Sequence, residues 1–320
     1  LVNSSETNKH ITNSTHFKQS INLDLGEYCF NVPYGKGWEP IGFNNNLPFR
    51  GVYDGDNCKI SNLSINRVEN FFVGLFGTLH QAQLRNIHID NATVYGQLAS
   101  GILAGSVITA GGANNASIIE GCKILRSRIS DSKTATGGTT SVSIGGILGL
   151  VDLGARLHIN KCQTDEHTEI TSAYGAGGIV GSGAIYSKVA ITECINNAKV
   201  SSAYSCAGGI VGTADSILIS SCKNYGAIAG ALMYTAGSTD NSGRGIGGII
   251  GGSGPGVILS SYNFGDVSGF FNKREDGKYL YCALGDLCRH TLGESSRNIL
   301  VESAAGDMAD TLHINFFKKR

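Results

Sequence analysis

A short motif recurs along this chain, and it limits the possible folds more than any other feature. It reads Gly-Leu-Phe-Gly at 74–77, Gly-Ile-Leu-Ala at 101–104 and Gly-Ile-Leu-Gly at 146–149. It continues as Gly-Ile-Val-Gly at 178–181 and 209–212, then Gly-Ile-Ile-Gly at 248–251. The starts at 74, 101, 146, 178, 209 and 248 are separated by 27, 45, 32, 31 and 39 residues. The basic unit is therefore about 31 residues, a period that marks solenoid proteins. The longer second and fifth intervals hold polar stretches, Ser130–Thr140 and Gly237–Arg244, read as loops.

A second element follows each motif. Around Cys194 it reads Ile-Thr-Glu-Cys-Ile-Asn-Asn-Ala-Lys-Val, and around Cys222 Ile-Ser-Ser-Cys-Lys-Asn-Tyr-Gly-Ala-Ile. The last unit ends Leu-Ser-Ser-Tyr-Asn-Phe-Gly-Asp-Val at 259–267. Alignment puts Asn196, Asn224 and Asn263 in one column, and Val200, Ile228 and Val267 in a second. Cys194, Cys222 and Ser261 form a third, to which Cys122 and Cys162 are assigned. Three short β segments per unit, with Gly or Asn at the corners, predict stacked rungs about 4.8 Å apart. Inward columns then become Ile/Val/Leu ladders and corner columns Asn ladders. The Gly pairs 145–146, 177–178, 208–209 and 247–248 fit a corner that needs positive φ or close backbone approach. A helix would lose about 1 kcal/mol per Gly relative to Ala.

Composition agrees. Gly is 45 of 320 residues, about twice the usual share of about 7%. Such a chain, rich also in Ser, Asn, Ile and Val, favours strands and tight corners. Lys plus Arg and Asp plus Glu are 25 each, and this balance argues against nucleic-acid binding by phosphate neutralisation. With 41% hydrophobic residues the chain is not disordered, and 4 Pro without a Gly period exclude collagen. No apolar run reaches about 18 residues, so no transmembrane segment is expected.

The Gly-Gly-Ile-Val-Gly units resemble GLUG repeats, found in surface proteins of bacteria and some protists and in the non-catalytic part of IgA-cleaving metallopeptidases. The resemblance spans about residues 38–267 and includes Trp38-Glu-Pro-Ile-Gly42, Phe49-Arg-Gly-Val-Tyr-Asp-Gly55 and Ile60-Ser-Asn-Leu63. It implies a right-handed parallel β-helix, usually extracellular and adhesin-like. Beside it, the expected organisation is an exposed polar arm at 1–22, a β-helix at 23–268 with an N-terminal cap, and a C-terminal cap or assembly segment at 269–320. The stretch from Glu294 to Leu312 is expected to be partly helical.

Candidate chemistry is sparse. The nine cysteines show no C-x-x-C pair, which argues against zinc ribbons and thioredoxin-like sites. The column Cys122, Cys162, Cys194 and Cys222 reads as a buried ladder of reduced thiols, with inter-rung disulfides as the alternative. Cys282 with Cys288, and Cys29 with Cys58, are candidate disulfides. Asn3, Asn13, Asn62, Asn91 and Asn115 head N-x-Ser/Thr sequons, which are either ordinary polar surface or N-glycosylation sites of an exported protein. The first residue is Leu1, and residues 1–22 lack a signal-type apolar core, as expected of a processed or partial exported chain. Asp54 and Asp56 read as turn residues, and Asp165, Glu166, His167 and Glu169 as one short insertion rather than an inter-rung site. Tyr174 and Tyr204 occupy matching places and read as packing residues, or as part of a sugar-binding face. No His-Glu-x-x-His motif or nucleophile elbow occurs.

The expectation is a non-enzymatic extracellular structural protein without cofactors or metal, a subunit of a surface layer or filament. The alternatives are an adhesin or glycan-binding stalk of a larger surface protein and, last, a carbohydrate-active enzyme. Expected partners are further copies, other surface proteins or glycans.

Overall fold

The computed structural model describes residues 15–43, 45–109, 115–131, 142–232, 245–253, 256–271, 283–285, 298–300 and 311–314. They form a right-handed parallel β-helix. Each turn has five short strands rather than the three expected. Turn 5 illustrates them: Lys188–Thr192 in sheet 1, Ile195–Asn196 in sheet 2, Lys199–Ser202 in sheet 3, Ala207–Gly208 in sheet 4 and Val211–Ala214 in sheet 5. Sheets 1 to 4 have eight strands each, and sheet 5 has six. The six strands of sheet 5 correspond to six complete turns, from Val52–Asp54 to Ile250–Ser253, and a seventh begins at Gly256–Leu259.

In the first turn, the corner between sheets 1 and 2 uses two left-handed residues, Asp56 and Asn57. From the second turn onward, this corner follows one rule. A single residue takes left-handed backbone: Asn86, Gly121, Lys161, Glu193, Ser221 and Ser260, with φ of 47° to 65°. The next residue then points inward: Ile87, Cys122, Cys162, Cys194, Cys222 and Ser261 are all buried. Only one corner residue is Gly. The others carry a strain of about 1 kcal/mol each. Their amides still bond to the following turn, as Lys161 N does to Thr192 O (3.1 Å) and Glu193 N to Ser220 O (3.0 Å).

The recurrent motif is the strand of sheet 4, a turn, and the strand of sheet 5. Ile147, Ile179, Ile210 and Ile249 at the turn are fully buried, and so are Leu148, Val180, Val211 and Ile250 after them. Each fully buried Leu, Ile or Val contributes about 1.5–3 kcal/mol. The glycines allow close approach, not positive φ, since none of the described pair glycines has positive φ. A methyl group on Gly177 would lie 1.9 Å from Val180 O and 2.7 Å from Gly212 N. Sheets 4 and 5 therefore meet backbone to backbone. The register also corrects one alignment. Gly101 pairs with Gly145, not Gly146, and Ala104 pairs with Leu148.

Parts of both ends differ from expectation. His16–Lys18, within the stretch expected to be an exposed arm, is the first strand of sheet 1 and pairs in parallel with Val52–Asp54. Helix α1 (Gly26–Asn31) and the chain to Arg50 cover the N-terminal end. Trp38 donates its indole N–H to Leu75 O (3.0 Å), and Phe17, Phe49, Tyr53 and Phe76 pack ring against ring. At the other end, Thr311–Ile314 adds antiparallel to Val267–Phe271, and Asn298–Leu300 to Ala283–Gly285. The described parts of the segment expected to be partly helical are thus strands.

Candidate functional site

Two internal ladders run through the stack. The first is amide. Thr164 Oγ1 donates to Asn196 Oδ1 (2.6 Å), Asn196 Nδ2 to Asn224 Oδ1 (2.7 Å) and Asn224 Nδ2 to Asn263 Oδ1 (2.7 Å). Each Asn also donates to the carbonyl two residues on: Ala198, Gly226 and Gly265. Asn196 and Asn224 are fully buried with their amides satisfied, as burial of polar groups requires. The Gly pairs make room for this ladder. A methyl group on Gly178 would meet Asn196 Cγ at 2.3 Å and Gly209 O at 2.0 Å.

The second ladder is thiol. Cys122, Cys162, Cys194 and Cys222 lie on four consecutive turns, each fully buried and free. Cys162 touches both Cys122 and Cys194, and burial pushes its thiol well up. Each Sγ also lies 3.3–3.4 Å from the carbonyl two residues earlier. The Ser261 hydroxyl accepts the Cys222 N–H (3.1 Å) at the end of the column. These thiols fill space and bridge turns without being available as nucleophiles.

Cys29 and Cys58 do not form the candidate disulfide; both are free. Cys29 is buried on α1, with the Ser64 N–H 3.5 Å from its sulfur, while Cys58 is half-buried in the turn before Lys59–Ser61. Cys282 and Cys288 lie outside the described residues, as do Asn3, Asn13, positions 132–140 of the first polar loop and the whole of the second, 237–244.

The remaining sequon residues occupy different settings. Asn62 and Asn91 stack on the outer corner between sheets 2 and 3, both with left-handed backbone. Asn91 Nδ2 donates to Asn62 Oδ1 (2.7 Å), and Asn62 Nδ2 donates to Asp24 Oδ1 (2.9 Å). Asn115 is exposed just before Ser117–Glu120.

The acidic groups act within the stack. Asp90, a residue the sequence reading missed, is buried and takes both Nε (2.8 Å) and Nη2 (2.6 Å) of Arg126, with Lys59 Nζ at 3.4 Å. The Arg126 guanidinium holds its carboxyl below the usual range. Asp131 accepts from Ser172 Oγ (3.0 Å) and the Ala173 N–H, and burial pushes its carboxyl up. Asp165 accepts the Arg126 N–H and the Thr168 hydroxyl; Glu166 and Glu169 form exposed pairs with His167 and Arg128. Asp54 accepts the Asp56 N–H in a turn. Among the described residues, no group of three or more His, Cys, Asp or Glu is placed to hold a metal ion.

Tyr174 and Tyr204 lie 5.8 Å apart, tilted by 49°, with Tyr174 packed on the core. A second aromatic set was missed. Tyr225 and Phe264 stack at 4.9 Å and 13°, and Tyr262 lies 6.2 Å from Phe264. Its signal was available, because Tyr225 and Phe264 each directly follow a ladder Asn.

No family model matches the chain. An 84-residue stretch, 25% of the chain, is 39% identical to a "Putative Gly-rich membrane protein" of Evansella cellulosilytica. A 73-residue stretch, 22% of the chain, is 42% identical to Halomucin of Haloquadratum walsbyi. These stretches are only 9% and 1% of the two relatives' own lengths. Among solved structures, a Bacteroides ovatus protein named "putative immunoglobulin A1 protease" is similar with a TM-score of 0.60 and 19% identity. The similarity covers 87% of this chain and 77% of that one, and it shows the shared fold. No described helix is long and apolar enough to cross a membrane.

Proposed function

We propose that this chain is a rigid, non-catalytic solenoid segment of a cell-surface protein, with a structural role in a surface assembly. The observation that carries this reading is the unbroken register of side-chain ladders through the stack. The Ile and Val columns tie each turn to the next, and the thiol and amide columns add ties across turns 3 to 7, so the turns bend or open only by breaking several contacts at once. Two matters support the setting. Stretches of the chain recur as small parts of much longer proteins, one of them named a membrane protein. The inter-turn carboxylates are engaged by Arg126, Thr168, Ser172 and backbone amides, as structural groups are. The name of the fold neighbour gives no catalytic residue to this chain.

The test is labelling of intact source cells with antibody raised against the folded protein. Surface labelling equal to that of permeabilised cells is the expected result. Labelling only after permeabilisation overturns the reading.

A further inference from the structure

The outer surface of sheets 1 and 2 changes character along the axis. In turn 4 its outward residues are His158, Asn160, Gln163 and Asp165. In the same columns, turn 7 presents Val257, Leu259, Tyr262 and Phe264. These are 49–54% exposed. Leu218 and Tyr225 extend the patch into turn 6, beside Val257 and against Phe264, with 40% and 46% exposure. The stacked rings are held in place before any partner arrives, so little side-chain entropy remains to be lost on contact.

We infer that this surface is the contact between two copies of the chain, related by a two-fold axis across the last two turns. The size of the patch selects that occupant. Half of a large apolar side chain is on the order of 100 Å², so six present roughly 600 Å². That lies at the upper limit for a patch on a monomer and supplies most of the roughly 800 Å² each partner gives to a stable interface. A single sugar ring or short peptide would leave most of it in water. A two-fold contact is self-complementary, so aromatic and aliphatic residues meet their own kind. Lys223 is exposed beside Tyr262 in its column, and a long flexible stem of this kind can lie along apolar surface while its charge stays in water. The two solenoids then overlap at their C-terminal turns and point in opposite directions. The inference extends the structural reading above but does not depend on cell-surface placement, because it concerns the purified chain.

The test is sedimentation equilibrium of the full 320-residue chain, beside the variant Leu259→Ser/Tyr262→Ser/Phe264→Ser. Circular dichroism and the unfolding midpoint establish that the variant is folded. A second variant, Tyr262→Lys alone, provides the same readout with minimal disturbance. The expected result is a dimer whose dissociation constant rises at least about 100-fold in the triple variant, as loss of central aromatic contacts does. A wild-type chain monomeric at about 100 μM overturns the inference, as such weak association is not that of a standard interface. So does a dimer that both folded variants leave unchanged. Saturable binding of a soluble oligosaccharide by a monomer, lost on Tyr262→Lys, also overturns it and makes the patch a glycan site.

Discussion

Gly178 sits where two demands meet. It must let Gly209 O come close, and it must leave space for the Asn196 amide. Gly178→Ala should therefore cost about 3 kcal/mol or more, through overpacking against backbone that cannot move alone. Urea unfolding measures it; a loss below about 1 kcal/mol would show that sheets 4 and 5 can separate locally. The cysteines allow a second test at this scale. In a Cys282→Ser/Cys288→Ser background, one thiol, Cys58, should react promptly with a thiol reagent in the native protein. Cys29, Cys122, Cys162, Cys194, Cys206 and Cys222 should react only on unfolding, because they are buried. Prompt labelling of Cys122, Cys162, Cys194 or Cys222 would mean that the column is open to solvent.

At the scale of elements, the strands are very short, and many have only two residues. Such strands hold because those inside the stack pair on both sides and because corner side chains tie neighbouring turns. Two carboxylates on these ties should respond oppositely to pH. The folded-state value of Asp90 is lowered by Arg126, so its stabilisation is complete above the unfolded value of about 4 and is lost as pH falls through the folded value. The folded-state value of Asp131 is raised by burial, so the native state holds its proton longer. Its contribution is fullest below about pH 4 and is lost as pH rises through the raised value. Stability measured against pH should thus lose its steepest acid limb in Asp90→Asn and rise more with pH above about 4 in Asp131→Asn. Parallel profiles for wild type and both variants would remove these two groups from the account.

For the whole molecule, the stack behaves as a one-dimensional array in which each turn answers to its neighbours. Its ends are the exceptions. Aromatic rings fill the N-terminal end, while antiparallel strands border sheets 3 and 4 at the other end. Sheets 1 and 2 carry the apolar surface there, so association belongs to this scale and not to any single residue. In scattering, a dimer overlapped at its C-terminal turns should give a rod longer than one stack of eight strands, which spans about 34 Å between its outer strands.

Much of this was legible in the chain. The period announced a solenoid, and the columns through Asn196, Cys194 and Val200 appear in the stack as aligned, because parallel in-register pairing repeats side chains at every turn. Five strands per turn were not legible. The left-handed corner is filled by Asn, Gly, Lys, Glu and Ser alike, so no residue type marks it. The Cys29–Cys58 pairing failed because spacing says nothing of which end of a turn faces the helix. The Asp90–Arg126 tie and the apolar surface of the last turns join residues a full turn apart, 36 and 39 positions in those two cases. Periodicity determined which residues stack, but only the tertiary register decided which side chains of neighbouring turns touch, because insertions shift sequence distance without shifting the rung.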